Sequence, residues 1–112
     1  WVLLLDSGDS STPDAKFDFD ESFPSGGSLE GEAWVREAGG SAPTSTLIPG
    51  PTTVIDSALQ SAADHFPVII RTTYLAGGTA GAVTLRFAQN TTNAANTRLL
   101  AGSFVRVLKV AA

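Results

Sequence analysis

The 112-residue chain contains no cysteine. Disulfides and thiolate metal sites are therefore excluded, and cysteine usage gives no indication of redox compartment. With one histidine, His65, the nitrogen and sulfur ligands of a zinc site are lacking as well. Methionine is also absent, and the chain opens on Trp1. Excision of an initiator methionine generally needs a small following residue, so the sequence reads as a cleaved product or as a domain cut from something longer. No apolar run approaches the roughly 20 residues of a membrane-spanning helix. The opening run, Trp1 to Leu5, lacks the basic flank of a secretion signal and reads as a first strand. Membrane insertion is not expected.

Charge is sparse, with 7 Lys and Arg against 11 Asp and Glu for a net charge of −4. The acids gather in the first 37 residues, whereas Arg71, Arg86, Arg98, Arg106 and Lys109 make the later part locally basic. These cations are spread singly along strand-like runs in an acidic whole, so no nucleic-acid partner is expected. The length suits a single domain over residues 1–112, burying roughly two thirds of its unfolded surface.

What the sequence does contain is strand pattern. Residues 68–75, 82–89 and 103–110 are three runs of β-branched, aromatic and aliphatic side chains separated by Gly-, Asn-, Ala- and Thr-rich breaks. Residues 15–20 alternate, with Phe17 and Phe19 on one side and Lys16, Asp18 and Asp20 on the other. Residues 29–37 alternate again, although Trp34 falls among Glu30, Glu32 and Arg36 and so calls for a loop or another chain above it. The run 1–5 is apolar without alternation, as in a strand covered on both faces. Short strands are expected at 46–48 and 52–55, a hairpin turn at Gly77-Gly78 and Gly81, and two short helical turns at most within 56–64, capped by Asp56 or Ser57. The fold class expected is all-β, an antiparallel, jelly-roll-like β-sandwich of about eight strands. Apolar side chains on both faces of 1–5, 68–70 and 104–108 exceed what one small core can hold, so some faces should meet a partner subunit. Trp1, Trp34, Val105 and Val107 are the candidate oligomer or partner contacts.

Chemistry is thinly represented. His65 adjoins Asp64, but no serine sits in a G-x-S-x-G elbow, and neighbouring side chains on an extended segment point apart. Asp6, Asp9 and Asp14, or Asp18, Asp20 and Glu21, offer oxygen ligands without calcium-loop spacing. Glu30 and Glu32 lie about 7 Å apart on one strand face, as any two glutamates in alternation do. Asn90, Asn93 and Asn96, with Thr91, Thr92 and Thr97, form a polar loop able to hydrogen-bond sugar hydroxyls or to shape its own turns. No catalytic residue, metal ligand or cofactor is assigned.

The segment AGAVTLRFAQNTTNA at 80–94, followed by LAGSFVRV at 100–107, resembles the closing strands of small β domains in virion proteins of tailed bacteriophages. Those domains occur in tail-fibre, minor tail and head-decorating proteins. The resemblance covers about 30 residues well, and residues 17–35 only loosely. It implies a non-enzymatic structural protein on the exterior surface of a virion, a capsid decoration (cement) protein or fibre-type module assembling as a symmetric oligomer, often a homotrimer. The implied partners are further copies of the chain, the major capsid protein or other virion proteins, and a host-surface glycan. Two alternatives belong to other classes: a receptor- or carbohydrate-binding sandwich module of a tail fibre or larger enzyme, using Trp34, Trp1 and Tyr74, and a small hydrolase built on His65.

Overall fold

The computed structural model describes residues 1–7, 14–19, 24–35, 43–58, 66–89 and 97–110. Within them the chain forms eight strands: β1 (Val2–Ser7), β2 (Asp14–Phe19), β3 (Ser28–Val35), β4 (Thr44–Ile48), β5 (Ile55–Ala58), β6 (Phe66–Leu75), β7 (Leu85–Ala88) and β8 (Thr97–Leu99). They make a five-stranded sheet in the order β4-β3-β6-β1-β8 and a three-stranded sheet in the order β5-β2-β7. Every pairing is antiparallel. The pairs β1–β8, β2–β7 and β3–β6 are nested, as when a long antiparallel ribbon is folded over on itself. This is the jelly-roll-like, all-β sandwich expected from the sequence.

Alternation sets the inward faces. Leu29, Ala33 and Val35 of β3, Val68 and Ile70 of β6, Leu3 and Leu5 of β1 and Ile48 of β4 meet Ala15, Phe17 and Phe19 of β2 and Ile55 of β5 in one buried cluster. Phe17, Phe19 and Leu5 are its largest fully buried side chains, each contributing roughly 2–3 kcal/mol of apolar transfer. Trp1 lies edge-on against Phe19, with ring centroids 5.2 Å apart, and joins the two layers. Its ammonium donates to the Ile70 carbonyl at 2.8 Å, and desolvation there holds the amine below its usual pKa of 8.0.

Gly31 is the one β3 residue on the core-facing side without a side chain. A Cβ there would collide with the backbone of Arg71 and Thr72 on β6, so the close approach of these central strands requires glycine.

Several sequence expectations are corrected. Asp56, Ser57 and Ala58 belong to β5, held by pairing with Lys16, Ala15 and Asp14, so the expected helix does not begin there; residues 59–65 lie outside the described residues. The strand expected at 52–55 starts only at Ile55. The glycines between β6 and β7 do not turn a hairpin, because β6 and β7 belong to different sheets and the connection crosses between layers. Thr97, expected in a polar loop, opens β8, and the strand expected at 82–89 is confined to Leu85–Ala88. Residues 103–110 form no strand, and among the described residues their one pairing is the isolated bridge of Phe104 to Val2.

Candidate interaction surface

The register that buries Leu3, Ala33 and Ile70 turns their neighbours outward. On the outer face of the five-stranded sheet, Trp34 stands opposite Ile69, Ile69 opposite Val2, and Val2 opposite Phe104. Four large apolar side chains thus line up across three strands and the bridge. Trp34 is 39% exposed and Phe104 55%, while Ile69 and Val2 between them are half-buried. Leu4 and Pro67 extend the apolar area on one side. On the other, Leu47, Glu32 and Arg71 stand in register, and with Gly31 and Thr73 they line a shallow open depression of about 290 Å³.

The chain reaches Phe104 through a bulge. Leu100 donates to the Leu4 carbonyl at 2.8 Å, and Phe104 exchanges two bonds of 2.8 Å with Val2. Between these contacts β1 advances two residues, whereas the returning chain spends four. The excess is held by Gly102, at φ 97°, and by Ser103, whose Oγ accepts from the Leu4 amide at 3.0 Å and donates to the Leu100 carbonyl at 2.8 Å. The Leu-Ala-Gly-Ser run is therefore a β-bulge in which a serine hydroxyl replaces a ladder carbonyl.

Beyond it, residues 105–110 pair with no described strand. Val105, Val107, Leu108 and Val110 are exposed, the last three to about four fifths. Val105 and Val107 lie on this unpaired run, and Trp34 lies in the outer apolar row. Trp1 is half-buried, packed on Phe19 at the opposite face of its sheet from Trp34. Asn90, Asn93, Asn96, Asp64 and His65 lie outside the described residues. The sequence reading found Trp34 through its place in an otherwise polar alternation; it missed the row, because Trp34, Ile69, Val2 and Phe104 are brought together only by strand order.

The three-stranded sheet presents a polar outer face. Arg86 and Asp18, cross-strand partners, form a bidentate ion pair. On the opposite face of the sheet Phe87 stacks on buried Phe17 at 5.6 Å. Glu30 and Glu32 share the outer face of the larger sheet, opposite Thr73 and Arg71. Among the described residues no three His, Asp or Glu side chains gather as a metal site would require, and no helix is long and apolar enough to cross a membrane. Compared with protein-family models, with curated proteins and with solved structures, the chain matches none.

Proposed function

We propose that this chain is a non-enzymatic structural module that assembles with copies of itself on the outside of a bacteriophage particle, as a capsid decoration or fibre-type component. The observation that carries the assembly reading is the Trp34, Ile69, Val2, Phe104 row on the outer face of the larger sheet, continuous with the exposed apolar run 105–110. Apolar surface of this kind on a sandwich whose core is already filled marks a protein contact. The virion setting rests on the resemblance of 80–94 and 100–107 to closing strands of phage proteins. The test is mass spectrometry of density-purified particles from cells producing the protein together with its phage. Recovery of the chain in the particle band supports the virion setting; recovery only in the soluble fraction defeats it.

A sugar-binding module is the second reading, favoured by exposed Trp34 and Tyr74. These two rings stand on opposite faces of their sheet, since Tyr74 pairs with inward-facing Leu29 and Trp34 with Ile69. They form no shared platform. Trp34 stands between Ile69 of β6 and Ser45 of β4, with Glu32 beside it on the same face, so hydrogen-bonding groups lie on one side of the ring and aliphatic ones on the other. Quenching of tryptophan emission by soluble polysaccharides would favour this reading over assembly.

A further inference from the structure

The geometry points to a strand-wide slot between β6 and residues 105–110, which takes an extended segment of this chain running into Trp1. The inference rests on neither the assembly reading nor the virion setting.

Register sets the two walls. Val2 stands opposite Ile69 on one side and Phe104 on the other, both antiparallel. β1 therefore separates β6 from the returning chain, and its direction carries the space between them past Trp1. Counted back from Trp1, a first residue falls between Arg71 and Arg106, and a fifth between Leu75, where β6 ends, and Val110. Over that length the other side of β6 is taken by β3, from Glu32 opposite Arg71 to Ser28 opposite Leu75. With strands about 4.8 Å apart, the walls stand roughly 10 Å from each other, the room of one strand.

Backbone groups point into the slot. The Trp1 nitrogen donates to the Ile70 carbonyl at 2.8 Å and the Ile70 amide donates to the Trp1 carbonyl at 3.0 Å, so the two residues are a hydrogen-bonded pair. Alternation turns the Thr72 amide and carbonyl to the same side of β6, and the Val2–Phe104 pair likewise turns those of Arg106 and Leu108 toward it. The Trp1 nitrogen sits where a ladder takes a peptide amide. As an ammonium it is desolvated, whereas an amide makes the same bond with no charge to bury. A strand from another copy would have to end against this nitrogen, so continuation of β1 itself is the occupant the geometry selects.

Side chains set the pattern of the occupant. Its first, third and fifth residues join the outer face beside Arg71, Thr73 and Leu75. Its second and fourth join the inner face beside half-buried Thr72 and beside Tyr74, which stands opposite buried Leu29. By alternation from Phe104, Val107 lies on that inner side, and its 81% exposure is covered when the slot fills. The second and fourth residues are thus apolar. The first stands between two cations, Arg71 and Arg106, which suits an acid. Leu108 and Val110 stay on the outer face with Phe104, so filling the slot leaves the outer apolar row in place.

Amide hydrogen exchange tests the slot. In residues 1–112 the Thr72, Arg106 and Leu108 amides should exchange fast at every protein concentration, while the Ile70 amide is protected. Extending Trp1 with Thr-Val-Thr-Val-Glu should slow them by about tenfold or more. Proline in place of both valines removes the donors to β6 and should restore fast exchange. Unchanged exchange in the valine-extended chain, with Ile70 still protected, would overturn the proposal. So would protection already present in residues 1–112: constant protection would mean that the returning chain closes on β6, and protection rising with concentration that a second copy fills the slot. A second readout needs no extension. With Thr73→Cys and Leu108→Cys together in residues 1–112, one strand's width should keep the two sulfurs from bonding, and a disulfide formed within the chain on mild oxidation would overturn the proposal.

Discussion

Asp18 and Arg86 face each other across β2 and β7, with Arg86 Nε donating to Asp18 Oδ1 at 2.8 Å and Nη2 to Oδ2 at 2.7 Å. The pair bridges two residues 68 positions apart in sequence, fixing the register of the three-stranded sheet on its wet face while Phe17 and Phe87 fix it on the other. Its side chains are 26% and 43% exposed, so solvent screens it. Asp18→Asn should therefore cost only about 0.5–1 kcal/mol in urea unfolding, and the cost should shrink in 1 M salt. A loss several times larger would mean that this pair, and not the phenylalanine stack, holds β7 in place.

The bulge at residues 101–103 makes a sharper prediction. Ser103→Ala removes the acceptor of the Leu4 amide and the donor to the Leu100 carbonyl at a part-buried position. It should lower stability by about 1–3 kcal/mol. Gly102→Ala asks a Cβ to sit at φ 97° and 3.3 Å from Leu4 Cδ1, and should cost about 1–2 kcal/mol. Chemical denaturation monitored by tryptophan emission reads both, since Trp1 adjoins Val2, the β1 residue that Phe104 pairs with after the bulge.

Period-two alternation made β2 and β3 legible to within a residue or two, because Phe17, Phe19, Leu29, Ala33 and Val35 must share faces with the core. β8 was not legible, and β5 only at Ile55. Asp56-Ser-Ala has no strand pattern of its own and is extended because Lys16 and Ala15 offer it a ladder; Thr97-Arg-Leu is extended because Asp6 and Leu5 do. The reverse holds for 103–110, which has the pattern but, beyond the Phe104 bridge, no neighbour among the described strands. Pairing is a property of two segments, and the sequence displays each one alone. For the same reason, Trp34 was conspicuous as an apolar residue on a polar strand face, while its alignment with Ile69, Val2 and Phe104 depended on a strand order that sequence leaves open.

Gly31 should tolerate no side chain. Its Cβ would enter the β6 backbone at Arg71 and Thr72, not the flexible end of a side chain, so accommodation requires the two central strands to part. Gly31→Ala is expected to destabilise by about 1–3 kcal/mol, as other overpacked sites do, despite alanine's better intrinsic strand entropy. Hydrogen exchange of the β3 and β6 amides should accelerate in this variant more than exchange in β2, which belongs to the other sheet.

The outer apolar row should report its own covering. In a Trp1→Phe protein all tryptophan emission comes from Trp34, and the edge contact with Phe19 is kept by an aromatic ring. Trp34 is partly in water in the single chain, so its emission should be red-shifted and readily quenched by acrylamide at low concentration. If copies close over the row, raising the protein concentration moves the emission to the blue and lowers quenching along the same curve as the mass from light scattering. Emission and quenching that stay constant while the mass rises would mean that copies meet through another surface and leave Trp34 in water.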